Sequence, residues 1–324
     1  MTKLNYLLFL CCAVACLTAC NQSNPNIVKH NGEKDLISFK SVKGIGYTEI
    51  ARRTADGLSF NEYGYQLEPQ WRINFVSDDS ASIYSPTKGK FINFPLTRGY
   101  DSVFNTARAW LKVKQMNKDS LKLEVLGSFG DSVDTRGLKT YMIFYANSYI
   151  KNVLHSDTTT LKKASRKDTL YIRKLTDLAN NDYEKAFAGR QPVELKSKKP
   201  FIKVTKWKAK GDILNHFDVS DDYMNPTYDI VINKADTNFY YSFSMFIDTN
   251  GAMHYGKPLI PFPDGSFRDK YVNLSKAIMD NYLKHYLEVK PGSTLGIAHV
   301  SEISVHVDGK RGSTLNKTYS MVSN

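Results

Sequence analysis

The sequence predicts an α+β protein that is predominantly antiparallel β. A β-rich N-terminal unit is followed by a C-terminal αβ unit with one long amphipathic helix. Two observations predict this class. Apolar and polar residues alternate with the strand period of two through much of residues 40–155 and again after residue 238. From residue 267, apolar residues instead recur every three to four positions, which is the helix period.

The N-terminal unit is predicted to contain a β-hairpin around residues 117–120. This segment is polar, and alternating residues flank it on both sides. The apolar members are Ala109, Leu111 and Val113 before it, and Leu121, Leu123 and Val125 after it. A further aromatic strand is predicted from Tyr141 to Tyr145.

A helix is predicted near residues 172–188, before Gly189 and Pro192, which are typical of a helix end. The residues expected to share one face of this helix are Leu175, Leu178, Ala179, Ala186 and Phe187.

The C-terminal unit begins with the clearest strand, Phe239–Ile247, and Asn250-Gly251 then predicts a hairpin. Ser266 and Asp269 have the spacing of a capping box at the start of the long helix. Its apolar stripe is Phe267, Tyr271, Leu274, Ile278 and Tyr282. After Pro291-Gly292, the pattern predicts a strand at 303–307, a turn at 308–312 and a last strand at 314–322.

This order of elements over residues 238–309 resembles the C-terminal domain of TonB-family energy transducers. The residues that carry the resemblance are the Phe239–Ile247 strand, Asn250-Gly251, the Tyr286–Gly292 helix end and the Ile303–Gly309 strand. TonB proteins also have an inner-membrane helix and a proline-rich spacer, and this chain has neither. The resemblance implies a peptide- or protein-binding αβ module and does not imply energy transduction.

Seven lysines lie within fifteen residues between the two units, from Lys196 to Lys210. We therefore predict a domain boundary near residue 200. It separates a β-rich domain at 39–200 from an αβ domain at 201–324. The lysines are interpreted as a solvated linker and strand face. The alternative is contact with anionic lipid headgroups or an anionic polymer.

The first residues have the composition of a secretory signal. Lys3 precedes an apolar run from Leu7 to Ala19 that is shorter than the ~20 residues needed to span a bilayer. The run ends Leu17-Thr18-Ala19-Cys20, which resembles the lipobox of bacterial lipoproteins. The resemblance implies a signal peptide at 1–19, cleavage before Cys20, a diacylglyceryl group on the Cys20 thiol and acylation of the new amine.

Residues 20–38 are predicted to be a flexible tether, because they are polar and lack apolar periodicity. Position 21 is Asn and no acidic cluster follows Cys20. By resemblance to lipoprotein sorting in enteric bacteria and Bacteroidetes, this favours the periplasmic face of the outer membrane over the inner membrane and the cell surface.

Charge and cysteine content limit the classes of function. The formal charge is +12, but an envelope address argues against nucleic acid as the partner. The four cysteines are Cys11, Cys12, Cys16 and Cys20, so the mature chain would keep one and could form no internal disulfide. The expected partners are the membrane, through the lipid on Cys20, and an envelope protein or anionic polymer.

No catalytic, cofactor or metal motif is found. The zinc-protease, nucleophile-elbow and P-loop signatures are missing. His299, Glu302 and His306 come closest to a ligand set, but an odd spacing places His299 and His306 on opposite sides of a strand. Asp212, Asp218, Asp221 and Asp222 around His216 lack EF-hand spacing and are interpreted as a loop.

A repeated Asp-Ser/Thr tripeptide resembles the O-glycosylation acceptor motif of Bacteroidetes envelope proteins. The possible acceptors are Ser80, Ser102, Ser120, Ser132, Thr158 and Thr169. The alternative is that Asp-Ser simply begins turns and caps helices.

The leading hypothesis for function is a non-enzymatic, membrane-anchored envelope lipoprotein that binds a protein or a polymer. The alternative is a periplasmic hydrolase acting on glycan or peptide, which would require distant carboxylates to meet in one cleft.

Overall fold

The computed structural model describes residues 36–129, 132–134, 139–208 and 220–312. It confirms the predicted class, since the protein is mostly antiparallel β-sheet with one long helix. The strands are β1 (Tyr47–Thr54), β2 (Arg72–Ser77), β3 (Ser80–Ser85), β4 (Lys90–Arg98), β5 (Val103–Thr106), β6 (Ala109–Met116), β7 (Ser120–Phe129), β8 (Ser132–Asp134), β9 (Thr140–Ala146), β10 (Glu194–Ser197), β11 (Ile202–Lys206), β12 (Thr227–Ala235), β13 (Phe239–Ile247), β14 (Met253–Pro258), β15 (Leu287–Lys290), β16 (Ser293–Thr294), β17 (Ile297–Ala298) and β18 (Ser301–Arg311).

The helices are shorter in total than the strands. They are α1 (Asn147–Asn152), α2 (Thr158–Leu161), α3 (Arg166–Asn181), α4 (Asp221–Met224), α5 (Gly265–Ile278) and α6 (Lys284–Tyr286). A π-helical turn, Met279–Leu283, joins α5 to α6, so the three pieces form one long helix. Two 3-10 turns, Lys40–Val42 and Tyr183–Lys185, complete the set. No helix in these described ranges is long and apolar enough to span a membrane.

Eight N-terminal strands form a closed antiparallel sheet. Each strand from β1 to β6 pairs with the next one, β7 pairs with β9, and β9 returns to β1. β8 only adds a short hairpin to the end of β7. The predicted hairpin at 117–120 is confirmed as β6–β7, and the predicted strand at 141–145 is confirmed as β9. Every strand of this ring therefore has a neighbour on both sides, although the pairing of β1 with β2 involves only Tyr47 and Thr48 of β1.

Aromatic side chains fill the interior of the closed sheet. Phe39, which precedes β1, stacks on Phe75 with ring centroids 4.1 Å apart and meets the edge of Phe104 at 5.1 Å. All three rings are almost completely buried. Asp78 holds the incoming segment in place, because its carboxylate accepts a 2.7 Å hydrogen bond from the Phe39 N–H. The first residue of the predicted β-rich domain is therefore part of the core of this sheet.

The C-terminal half forms a five-stranded mixed sheet in the order β11-β12-β18-β13-β14. β18 lies in the centre, parallel to β12 and antiparallel to β13. The predicted strand Phe239–Ile247 and the Asn-Gly hairpin are confirmed as β13 and β14. One face of this sheet packs on the long helix through alternating residues such as Phe243, Met245 and Val305.

Two details of the C-terminal prediction are wrong. The N-cap of the long helix is Asp264, whose carboxylate accepts a 2.9 Å hydrogen bond from the Phe267 N–H, and not Ser266. No turn follows residue 307, because β18 continues to Arg311. Gly309 is needed there for packing, since a Cβ on it would lie 2.3 Å from the Phe239 ring. The predicted strand at 314–322 lies outside the described residues.

The helix predicted near 172–188 exists as α3, but it begins and ends earlier. Ser165 and Asp168 form a capping box that starts it, and it stops at Asn181. Ala186 and Phe187 therefore lie beyond the helix, although Phe187 is buried with Ile172 and Ala179. This small core also includes Phe60 from the N-terminal half and Val300 from the C-terminal half, so α3 packs between the two halves.

The segment around residue 200 belongs to two neighbouring strands. β10, before the predicted boundary, pairs with β15, after it. The boundary itself stays a prediction. Arg190 connects the two halves, because its guanidinium forms an ion pair with Glu68 and lies 4.6 Å from the centre of the Tyr223 ring.

Candidate functional site

The five-stranded sheet has a second face that turns away from the long helix. We call it the open face, and it consists of the side chains that alternate with those of the core. Its central members are Trp207, which directly follows β11, Asp229 in β12, His306 in β18, and Tyr240 and Ser242 in β13. Successive side chains of a strand point to opposite faces of the sheet. The residues between these positions therefore point into the core, and the central members form the other face.

Three rings form an aromatic row across the open face. The Trp207 ring lies 5.4 Å from the His306 ring, and the Tyr240 ring lies parallel to His306 at 6.4 Å. Trp207 is 53% exposed and Tyr240 is 64% exposed. Exposed aromatic side chains that share one face of a sheet indicate a candidate surface for binding a ligand.

Polar groups lie beside and between the rings. Asp229 and Ser242 are the direct cross-strand neighbours of His306 on either side. The Trp207 indole N–H donates to Asp229 Oδ2 at 2.7 Å, which holds the indole ring in place. Ser242 Oγ lies 2.8 Å from His306 Nδ1, within hydrogen-bonding distance. The row therefore combines flat apolar surfaces with carboxylate and imidazole groups that can hydrogen-bond a ligand.

The same strands lead from the aromatic row into a cleft of about 360 Å³. Glu302 lines the cleft and precedes His306 by four residues in β18, which is about 13 Å along a strand. Phe246 and Tyr183 form one wall, with ring centroids 5.9 Å apart. Tyr183 is itself positioned by His254, whose Nε2 lies 3.2 Å from its hydroxyl. The face and the cleft together form an elongated surface.

The arrangement of Asp229, His306 and Ser242 has the residue types of a hydrolytic triad. Its geometry is less suited to that chemistry. Ser242 is only 4% exposed, so a substrate carbonyl has poor access to its hydroxyl. The row favours binding over nucleophilic catalysis, which needs an exposed nucleophile beside its base.

The sequence-predicted positions are not brought together at this site. Cys20 lies outside the described residues, as do Asp212, His216 and Asp218. Ser80 and Ser120 begin strands, Ser102 lies in a turn with positive φ, and Thr158 begins α2. Thr169 lies within α3, where its hydroxyl donates to the Ser165 carbonyl at 3.2 Å. Ser132 lies in β8. These positions are scattered, and glycosylation stays a prediction.

The histidines considered as ligands have different surroundings. His299 is completely buried and stacks on Phe187 at 3.7 Å, with Thr294 Oγ1 3.1 Å from its Nε2. This burial lowers the pKa of His299 to about 4. His306 is on the open face. No group of three or more His, Cys, Asp or Glu that could hold a metal ion occurs in the part of the chain that the structure describes.

Sequence reasoning missed the aromatic row. The alternation of β13 does place Tyr240 and Ser242 on one face, and that signal was available. The position of His306 between Asp229 and Ser242 depends on β18 entering the sheet between β12 and β13, which no local pattern encodes. No protein-family model, no curated protein and no solved structure matches the chain.

Proposed function

We propose that this protein is a lipid-anchored envelope protein that binds a glycan polymer through the open face. In this proposal Cys20 carries the lipid, and the protein lies on the periplasmic face of the outer membrane. The observation that supports binding most directly is the row of Trp207, His306 and Tyr240 with its adjacent polar groups.

The chemistry of the row fits a sugar better than an apolar ligand. A sugar ring has an apolar C–H face, which stacks on an aromatic ring, and a hydroxyl rim, which hydrogen-bonds to carboxylate and imidazole groups. The nearby charges are of both signs, with Asp229, Asp308 and Glu302 balanced in part by Lys203 and Lys310. An uncharged polymer with many hydroxyl groups therefore fits this surface better than an anionic one. The length of the surface, from the row to the cleft at Glu302, favours several linked sugars over one.

Binding is tested with the aromatic residues. We expect Trp207→Ala or Tyr240→Ala to weaken glycan binding about tenfold, since a stacking contact contributes on the order of 1–2 kcal/mol. Affinity electrophoresis through gels that contain neutral polysaccharides, and co-sedimentation with envelope polysaccharide, would measure this. The matched control is Tyr63→Ala, because Tyr63 is also 64% exposed but lies in the N-terminal half. Equal binding by the Trp207, Tyr240 and Tyr63 variants would contradict the proposal.

The alternative function is a hydrolase, which the Ser242–His306 pair favours. The same polymers, incubated with the protein and examined by mass spectrometry, separate the two. Hydrolysis would be supported if the protein produced new chain ends and Ser242→Ala produced none. Binding alone would be supported if the polymer stayed intact while the polysaccharide gel still retarded the protein.

The anchor is tested independently of the ligand. We expect Cys20→Ala to remain an unlipidated precursor that does not reach the outer membrane, because each buried CH2 of an acyl chain contributes about 0.8 kcal/mol to membrane binding and the variant lacks these chains. Fractionation and intact-mass measurement would detect both changes. Normal acylation of this variant, or its normal recovery in the outer membrane, would contradict the assignment of Cys20.

A further inference from the structure

A cleft of about 600 Å³ lies on the other side of the edge strand β11, between β11 and the β10–β15 pair. Successive residues of β11 point to opposite faces, so Trp207 belongs to the open face while Lys206 points into this cleft. The volume is within the usual range for small-ligand sites, about 300–1,000 Å³.

The walls of this cleft are strongly basic. Four cations line it, and each comes from a different segment: Arg190, Lys196, Lys206 and Lys290. One carboxylate, Glu194, lines it with them and pairs with Lys290 at 2.7 Å. Arg190 pairs with Glu68. The cleft therefore retains an excess of positive charge after its ion pairs are formed.

Lys196 and Lys206 supply that excess. In the described part of the chain, neither ammonium group has a carboxylate within ion-pair distance. Glu288 is opposite Lys196 in the β10–β15 ladder but forms no ion pair with it. Burial lowers the pKa of Lys206, and the charge of Lys208 acts in the same direction, while Asp222 and Glu194 oppose them. Half-burying a cation without a close counter-ion has a cost that a bound anion would offset.

The floor of the cleft is formed by Tyr228 and by residues of the β10–β15 pair. Tyr228 is buried there, and its hydroxyl donates to the Val193 carbonyl. The β10–β15 pair has a regular antiparallel register from Glu194 opposite Lys290 to Ser197 opposite Leu287. The lysine stems therefore project from paired strands, and their positions are set by the sheet.

We propose that this cleft is an anion-binding site that accepts a phosphate group between Lys196 and Lys206, with Lys290 at its rim. Lysine ammonium groups act as point charges that suit phosphate oxygens, and a charge-assisted hydrogen bond is about twice as strong as a neutral one. The phosphate belongs to a soluble phosphate ester or to a lipid headgroup. This site is separate from the open face and does not depend on glycan binding there.

The test uses inorganic phosphate and glycerol phosphate, titrated by calorimetry into the purified protein at low ionic strength. Removing one charge-assisted contact typically weakens binding by about tenfold, so Lys196→Gln or Lys206→Gln should each have that effect. The matched control is Lys203→Gln, which removes the same charge from β11 on the opposite face. Loss of affinity in the first two variants but not in the control supports the site. Undetectable phosphate binding, or equal loss in all three variants, overturns it.

Two further measurements distinguish the source of the phosphate and guard against misfolding. Flotation with vesicles of phosphatidylglycerol, compared with phosphatidylcholine, shows whether a headgroup is accepted with the same dependence on Lys196 and Lys206. Vesicle binding that is unaffected by both variants would exclude the headgroup and leave a soluble ester as the ligand.

In the unaltered protein, amine acylation followed by mass spectrometry should show that phosphate protects Lys206 and not Lys203. Equal labelling of Lys206 with and without phosphate would overturn the proposal.

Discussion

The closed sheet and the five-stranded sheet bury similar apolar residues, yet they leave different surfaces. In the closed sheet every ring strand has two neighbours, and the interior is occupied by Phe39, Phe75 and Phe104. In the five-stranded sheet the long helix covers one face, while the other face keeps Trp207 and Tyr240 in water. The edge strand β11 also has a cleft beside it.

This difference predicts different roles for the two halves. A closed sheet whose interior is filled has no room for a ligand inside, because protein interiors are close-packed and a void must be opened first. In the five-stranded sheet, by contrast, Trp207 and Tyr240 are already exposed on the open face. We therefore expect the closed sheet to act as a stable scaffold and the five-stranded sheet to carry the binding functions.

The largest expected effect tests the scaffold. Phe39→Ala removes a ring that is almost completely buried between two other rings, so it should lower the free energy of unfolding by about 3–5 kcal/mol. Urea denaturation followed by tryptophan fluorescence would measure the loss. Glycan binding by the folded variant should stay unchanged, because Phe39 belongs to the core of the closed sheet and the open face belongs to the other sheet.

The control for this variant is Phe91→Ala. Phe91 is exposed and makes an edge contact with Tyr84 at 5.4 Å, so its loss should cost about 1 kcal/mol or less. If Phe39→Ala were no more destabilising than Phe91→Ala, the N-terminal segment would not be part of the core. If it abolished glycan binding while the protein stayed folded, the separation of tasks would be wrong.

A smaller effect is expected from pH, at the buried His299 of the C-terminal half. Its pKa is about 4 in the folded protein and about 6.5 in the unfolded chain, because burial disfavours the charged ring. The unfolded state therefore takes up the proton first as the pH falls. The neutral His299 ring makes its full contribution to the free energy of unfolding above pH 6.5. This contribution, up to about 3 kcal/mol, is lost progressively between pH 6.5 and pH 4.

The contribution of His299 is isolated by comparison with His299→Gln, since glutamine can hydrogen-bond to Thr294 but does not titrate. The other titrating groups are the same in both proteins, so their contributions cancel in the comparison. The difference in unfolding free energy between the two proteins should therefore shrink as the pH falls from 7 to 4. A difference that stays constant over this range would show that His299 is not held neutral by burial.

Sequence reasoning was most successful where neighbouring strands are also neighbours in the chain. β6–β7, β9 and the β13–β14 hairpin were predicted because alternation and turn residues are local signals. The apolar stripe predicted for α3 begins only at Leu175, so it does not indicate the helix start, although Ser165 and Asp168 have capping spacing. Gly309 was interpreted as a turn residue because its role beneath Phe239 is visible only in three dimensions.

The candidate site could be predicted only in part, for the same physical reason. The open face requires Asp229, His306 and Ser242 to be in register across three strands, and these residues are far apart in the chain. The lysine-rich stretch was recognised, but its lysines were interpreted as a solvated linker and strand face. Strand pairing between β10 and β15 brings Lys196 and Lys290 to the same cleft as Lys206, and no spacing rule relates them.

The central position of β18 has a consequence for the order of folding. All strands of the closed sheet lie between Tyr47 and Ala146, and each pairs with a near neighbour in the chain except where β9 returns to β1. This ring can form before Ser301–Arg311 takes part, since local pairings close quickly. β12 and β13 must wait for Ser301–Arg311 to lie between them. We therefore expect the open face to form last, when the strand that carries His306 completes the second sheet.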